Sequence, residues 1–356
     1  MNSLRVLSIG VIVLMGVNMT NAFRKRIPQV EIFLNNNPRC SAELENIAKR
    51  EKWKLINIPS ITVKGSNFDN GKMPMTVIFK DEIIANVEIN VVDHGFVETI
   101  ELSSPLENPK WIEVKVGTTF HEKIPVELKR LYGTVTYFDG TPVSYPIISS
   151  TATEGMVTVG DEKGNFEMFL CGKEKSIGIF EKNYSKATLE CWLYDVDLKE
   201  DTKLNVRIDK FEVYELGAWQ GYGGIYIHFI PMSLTRGLEL AMKGASEMEI
   251  ASHQESWPHL RKNDVKVFID GKEIPISTFN EYEDFIGEYK GKKLIRPGYI
   301  LSIPWSVARK YWKKGITKKG IIKVEIKHRV KSGAKEILEK GEGYFLGVIS
   351  DVYERR

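Results

Sequence analysis

The chain has 356 residues, 42% hydrophobic and 27% charged, a length that suits two or three modules and a composition that excludes wholesale disorder. Its formal net charge of +3 is too small to argue for nucleic acid as a partner. Its three cysteines, Cys40, Cys171 and Cys191, are too few for a disulfide-stapled scaffold, so core burial must do most of the stabilising.

Residues 1–22 read as an export signal: Arg5 opens it, Val6 to Val17 form the apolar run, and Thr20-Asn21-Ala22 supply small residues at a cleavage point. About twelve apolar residues are too few to span a bilayer comfortably. The following Arg24-Lys25-Arg26 oppose translocation, so the segment is a cleaved signal, an uncleaved anchor or an ordinary buried segment, with membrane association only in the second case. The expected location is secreted, or periplasmic within the cell envelope.

Residues 23–106 have a βαββα order. Val30 to Leu34 is a strand, and Ser41 N-caps a helix that carries Cys40, Leu44, Ile47 and Ala48 on one face as far as Trp53. Leu55 to Ile58 returns as strand, and a hairpin joins Met75–Phe79 to Ile83–Ile89 through Lys80-Asp81-Glu82. Asp93 then starts a second helical pattern through Phe96, Val97, Ile100 and Leu102. With Pro38-Arg39-Cys40-Ser41 at the first helix and Met73-Pro74-Met75-Thr76 before the hairpin, residues 27–106 resemble a thioredoxin-like domain. The resemblance implies a cis Pro74 beside the active cysteine. The family's Cys-x-x-Cys is missing, because Asn37 holds its first position, and dithiol chemistry is not expected. A monothiol redox or chaperone-type role remains, with the helix N-terminus and Arg39 favouring the Cys40 thiolate. The alternative is a Cys40 that is simply a small buried hydrophobe.

From residue 131 short strands recur with turn signals between them. Tyr132-Gly133-Thr134-Val135-Thr136 alternates, Asp139-Gly140-Thr141-Pro142-Val143 is a tight turn, and Asp161-Glu162-Lys163-Gly164-Asn165-Phe166 turns into a further strand. Met168–Cys171, Ser176–Phe180, Ala187–Leu193 and Leu204–Ile208 complete the run. These motifs resemble the carboxypeptidase regulatory-like domain over residues 131–209, which implies a transthyretin-like β-sandwich acting as an accessory or interaction module. The strand-like residues 107–130 are assigned to the same module, giving a domain of 107–209. Cys171 and Cys191 fall within it and are the candidate disulfide pair.

Residues 210–356 alternate again, most clearly over Phe211–Leu216, Gly224–Phe229, Val265–Ile269, Tyr299–Ile303 and Ile321–Ile326, with Asp270-Gly271 as a hairpin turn. They are expected to form a separate C-terminal β domain. The segment from Pro231 to Asn263 lacks β alternation and carries Arg236, His253, Trp257 and His259, which makes it the place for a ligand-contacting loop. Aromatic residues crowd around Trp219, Tyr222 and Tyr226, where exposed rings would stack on sugars or anchor a protein. The candidate ligand-binding set is therefore Trp219, Tyr222, Arg236, His253, Trp257 and His259. His253 and His259 match no metal spacing, and Gly221-Tyr222-Gly223-Gly224 lacks the strand-to-helix context of a phosphate loop. His228 is read as solvated or hydrogen-bonded, and the strand in the basic stretch from Arg309 to Lys335 as half-buried with a charged outer face suited to an anionic envelope polymer or lipid surface.

No nucleophile elbow, zinc-binding helix or paired Cys-x-x-Cys occurs, which counts against hydrolase and zinc-site readings without excluding an enzyme; no catalytic residue, metal or cofactor is assigned. The reading is of a mainly β, multidomain, exported protein that binds a protein or an envelope polymer. The monothiol role through Cys40 and carbohydrate binding are its alternatives.

Overall fold

The computed structural model describes residues 27–37, 46, 59–151, 156–246, 249–250, 253, 256–289, 291–311, 320–347 and 349. The expected export signal, Arg39 and Cys40 with the expected helix, and the expected strand at 55–58 lie outside the described residues. The chain divides into two compact units, residues 1–32 with 63–98 and 113–124, and residues 33–62 with 99–112 and 125–356.

The first seven strands are β1 (Gln29–Asn35), β2 (Ser60–Ser66), β3 (Gly71–Phe79), β4 (Glu82–Val91), β5 (Gly95–Glu101), β6 (Trp111–Val116) and β7 (Phe120–Pro125). They form a sheet in the order β1-β2-β5 and another in the order β4-β3-β6-β7. The β3–β4 hairpin is the one read from the sequence. Its two turn residues, Lys80 and Asp81, have φ of 49° and 65°, as a two-residue hairpin matched to strand twist requires.

Three expectations for this part of the chain are corrected. The helix expected from Asp93 is strand β5, in which exposed Val97, Thr99 and Glu101 alternate with the more buried Phe96, Glu98 and Ile100, a period of two. Asp93 and His94, at φ 51° and 64°, make a hairpin turn instead of a helix cap. Pro74 lies within β3 opposite Glu88, and there is no cis peptide among the described residues. Residues 111–116 belong to β6 and pair with β3 from Met75↔Val116 to Ile78↔Glu113, outside the sandwich to which they were assigned. Alternation explains that pairing, since Val114 and Val116 bury on the same side of the ladder as Met75 and Val77. The core of this unit is completed by Phe68, whose ring meets Phe96 and Phe120 edge-on at 5.4 and 6.0 Å.

The second unit begins with a two-sheet sandwich. Its strands are β8 (Leu128–Tyr137), β9 (Ile147–Ser150), β10 (Val157–Val159), β11 (Asn165–Cys171), β12 (Lys173–Phe180), β13 (Cys191–Asp197), β14 (Thr202–Lys203) and β15 (Val206–Ile208). One sheet runs β11-β8-β14 with β15 also on β8, and β10-β9-β12-β13 is part of the other. Leu131, Val135, Phe166 and Met168 from the first face Ile148, Ile177, Ile179 and Leu193 from the second across a shared core. The turn before β11 is fixed by Asp161, whose carboxylate accepts from the backbone N–H of Lys163 at 2.9 Å and of Asn165 at 2.8 Å. Gly164, at φ +80°, has the Val135 carbonyl oxygen 2.4 Å from where a Cβ would sit, so no other residue fits there.

The remaining elements are β16 (Phe211–Gly221), β17 (Gly224–Ser233), α1 (Leu234–Met242), a 3-10 turn (Lys262–Asp264), β18 (Val265–Ile269), β19 (Lys272–Ile274), β20 (Thr278–Tyr289), β21 (Lys292–Pro304), α2 (Trp305–Tyr311), β22 (Ile322–Ser332) and β23 (Lys335–Phe345). β16-β17-β21-β20 is a four-stranded antiparallel sheet. Ile225, Ile227, Phe229, Leu301 and Ile303 from it pack with Val265, Val267, Ile322, Val324 and Ile326.

The expected boundary at 209/210 does not separate two folds. β23 pairs in parallel with β13, through Trp192↔Gly343, Leu193↔Tyr344 and Tyr194↔Phe345, and one eight-stranded sheet, β10-β9-β12-β13-β23-β22-β18-β19, backs both cores. A buried ion cluster fastens the join. Arg207 of β15 donates to Glu342 of β23 at 2.6 and 3.0 Å and to Glu325 of β22 at 2.6 Å, while the Tyr344 hydroxyl donates to Glu342 at 2.7 Å. The charged face of β22 is thus partly covered, with Lys327 2.9 Å from Glu325. The candidate disulfide is absent: Cys171 and Cys191 are free thiols, on β11 and β13, which belong to different sheets.

Candidate functional site

One face of β16-β17-β21-β20 is buried in the core, so strand alternation puts Tyr226 and His228 of β17, Ile300 and Ser302 of β21, and Thr278, Asn280 and Tyr282 of β20 on the other. Register lines them up in rows: Trp219, Tyr226, Ser302 and Thr278 form one, and Gly217, His228, Ile300 and Asn280 the next. Trp219 stacks on Tyr226 with ring centroids 5.8 Å apart and planes at 15°. Two glycines let rings lie down on the sheet. A Cβ on Gly298 would stand 2.4 Å from the Tyr282 ring, and one on Gly221 would stand 2.5 Å from the Tyr226 ring.

Polar groups lie between the rings. The Tyr282 hydroxyl is 2.6 Å from His228 Nε2, the Thr278 and Ser302 hydroxyls are 2.5 Å apart, and the Asn280 amide is exposed. Beyond the edge, at the β16–β17 turn, Tyr222 is 88% exposed, and Trp219 is 43% exposed. Flat apolar surfaces interleaved with hydroxyl and amide groups match the alternation of C–H and O–H on a sugar ring.

A second feature is a cavity of about 430 Å³ lined by Arg236, Trp257, His259, His328, Arg329 and Lys331, with Pro258 and Val330. Arg236 stands in the first turn of α1, whose N-cap Ser233 accepts from its N–H at 3.3 Å. His259 Nδ1 lies 2.8 Å from Glu281 Oε1, and the other oxygen of Glu281 accepts from the Tyr299 hydroxyl at 2.6 Å. His328 Nδ1 lies 3.0 Å from Asp264 Oδ2, an oxygen that also accepts from the Arg261 N–H at 2.8 Å. Trp257 is 6% exposed, with Tyr214 edge-on at 6.2 Å and the Arg296 guanidinium 5.5 Å from its ring centre.

The candidates from sequence thus divide. Arg236, Trp257 and His259 meet in the cavity, while Trp219 and Tyr222 belong to the aromatic face and the adjoining turn. His253 joins neither group; its backbone closes turns with Ile250 and Ser256. His228 is hydrogen-bonded, to Tyr282 and to the Glu215 carbonyl at 3.1 Å. Sequence reasoning passed over Tyr282 and Asn280, because β20 was not read as a strand, and it did not single out His328, Arg329 and Lys331 within the basic stretch. Two-residue alternation through Asn280, Tyr282 and Asp284 was the available signal. Burial raises the pKa of Cys171 and of Cys191, so neither is an activated nucleophile. Among the described residues no group of three metal-ligating side chains is placed to hold an ion, and no helix is long and apolar enough to cross a membrane.

No family model matches the sequence, and no curated protein matches it either. Among solved structures, a protein of Bacteroides uniformis proposed to bind carbohydrate is similar at 10% identity, covering 61% of this chain and 95% of its own, with a TM-score of 0.18. A DUF3823 family protein of Parabacteroides merdae shares 12% identity over 61% of this chain and 98% of its own, with a TM-score of 0.19. Another, from Bacteroides ovatus, shares 10% identity over 62% and 99%, with a TM-score of 0.18. At these TM-scores the likenesses say nothing about site or ligand.

Proposed function

We propose that this chain is an exported, non-enzymatic binding protein of the cell envelope that takes a neutral glycan along the outer face of β16-β17-β21-β20. The observation that carries the reading is the set of rings on that face, Trp219 stacked on Tyr226 and Tyr282 laid over Gly298. Rings held this way offer stacking area at little cost in side-chain entropy. The hydroxyls of Thr278 and Ser302 and the Asn280 amide supply hydrogen bonds at the spacing of adjacent strands, ~4.8 Å.

Affinity electrophoresis of the full chain through gels containing neutral polysaccharides tests the reading. Retardation by at least one of them is expected, and Trp219→Ala should weaken it ~10-fold or more, as for an aromatic anchor at the centre of a binding surface. Trp219 is partly exposed, so its loss leaves the core intact. Free migration in every gel, or an unaffected Trp219→Ala variant, would sink the proposal. The alternative of monothiol chemistry rests on Cys40 and draws no support from the described residues.

A further inference from the structure

We infer that His228 is a positioning residue of the aromatic face: it makes the Tyr282 hydroxyl a hydrogen-bond acceptor only, and so selects a glycan whose hydroxyl above Tyr282 is free, neither alkylated nor acylated. Selection of this kind rests on the glycan reading of that face. The tautomer follows from the partners. His228 Nδ1 lies 3.1 Å from the Glu215 carbonyl oxygen. A carbonyl only accepts, so the neutral imidazole carries its proton on Nδ1 and a lone pair on Nε2. Nε2 lies 2.6 Å from the Tyr282 hydroxyl, which therefore donates to it. The one proton of that hydroxyl is spent within the protein, and its oxygen has lone pairs alone to offer a ligand.

The carbonyl that sets the tautomer is itself held. Glu215 lies in the bulge of β16 between Tyr214 and Gly217, at φ 50°, a backbone conformation that a residue with a side chain adopts only when its surroundings impose it. Its N–H donates to the Tyr194 hydroxyl at 2.7 Å, and its carboxylate meets Arg296 at 2.7 Å. Arg296 is also 2.7 Å from Asp284, two residues beyond Tyr282 on β20. Gly217, opposite His228 in register, puts no side chain between the imidazole and the bulge. These contacts converge on one hydroxyl. The other polar groups of the face are less selective: Thr278 and Ser302, bonded to each other at 2.5 Å, keep one proton between them for a ligand, and the Asn280 amide both donates and accepts. At Tyr282 a ligand hydroxyl can donate, whereas an ether or ester oxygen brings no proton and sets lone pairs against lone pairs.

Two measurements on the full chain test it. In long-range ¹H–¹⁵N correlation spectra at neutral pH, the His228 ring, identified by the signals missing from His228→Leu, should show a protonated Nδ1 and a bare Nε2. An Nε2–H tautomer would overturn the inference. Affinity electrophoresis in gels of dextran, galactomannan and soluble starch, each beside its partly O-methylated form, reads the selection. A glycan that retards the parent should do so ~10-fold more strongly than its methyl ether. His228→Leu frees the Tyr282 proton and should bring the two forms within ~2-fold of each other, chiefly by a gain on the ether. The bond it removes to Glu215 is at the surface, so the core is untouched. Tyr282→Phe should also bring the two forms together, by a loss on the free glycan. Retardation of the parent without preference for the unmethylated form, or a preference that both variants keep, would overturn the selection and leave the glycan reading standing. Free migration in every gel would overturn the glycan reading, and the selection with it, whatever the tautomer.

Discussion

Two buried acid clusters in the second unit carry the same residue type in opposite states. Glu342 and Glu325 are nearly inaccessible, yet both meet Arg207 at 2.6 Å. Burial alone pushes Glu325 up, but hydrogen bonds from Lys327 and Arg207 overcome it and hold the carboxyl at about 2. Glu190 and Glu212 are also buried and have no such cation among the described residues. Burial pushes Glu190 to about 8, and burial with the neighbouring Glu190 raises Glu212 well above the usual range. Trp192 Nε1 donates to Glu212 Oε1, while Oε2 of each acid is buried with no hydrogen-bond partner among the described residues. Burial opposes charge at both places, and a basic side chain decides the outcome at one.

Removing the cation should break the contrast, and with the largest effect. Arg207→Ala leaves Glu342 and Glu325 buried with Lys323, Lys327 and the Tyr344 hydroxyl beside them, and it should cost about 3 kcal/mol in urea unfolding at pH 7. A loss below about 1 kcal/mol would mean that the join between β15 and β23 does not depend on the ion cluster.

The unpaired cluster should show itself in alkali. In the unfolded chain the Glu190 carboxyl ionises near its ordinary 4.5, and in the folded chain it keeps its proton until about 8. Stability should therefore fall as pH rises through that window. Glu190→Gln, which keeps the shape without the acid, should flatten the dependence of the urea midpoint between pH 5 and 8; an unchanged slope would show that Glu190 is already ionised at neutral pH.

The smallest effect belongs to the paired cluster in acid. Glu325 ionises near 2 in the folded chain against 4.5 in the unfolded one, so its contribution is present above 4.5 and is lost as pH falls toward 2. Glu325→Gln should remove about 1 kcal/mol of the stability difference between pH 6 and 3, measured by thermal unfolding at each pH. Equal acid sensitivity in parent and variant would place the titrating group elsewhere.

The same chemistry explains what could be read from sequence. The Asp161 turn and the Asp270-Gly271 hairpin were legible because their backbone geometry is set within a few residues; Asp270 and Gly271 have φ of 49° and 76°. β23 was not. Its inward positions include Glu339, Gly341 and Glu342, which look solvated until their partners are known. Glu339 accepts from the Ser233 hydroxyl at 2.5 Å and the Thr235 N–H at 2.9 Å, and Glu342 meets Arg207; none of these is near in sequence. The candidate site divides in the same way. Trp219 and Tyr222 announced themselves by composition, whereas the cavity needed His328, Arg329 and Lys331 brought to α1 by the fold.

The pairing of β13 with β23 also sets an order of assembly. Trp192 must wait for Gly343, about 150 residues further along, a long-range closure of the kind that slows folding. At ordinary rates of synthesis those residues arrive roughly 10–30 s later. Until then the edge of β13 on that side stands open, with unsatisfied N–H and C=O groups that another chain could pair.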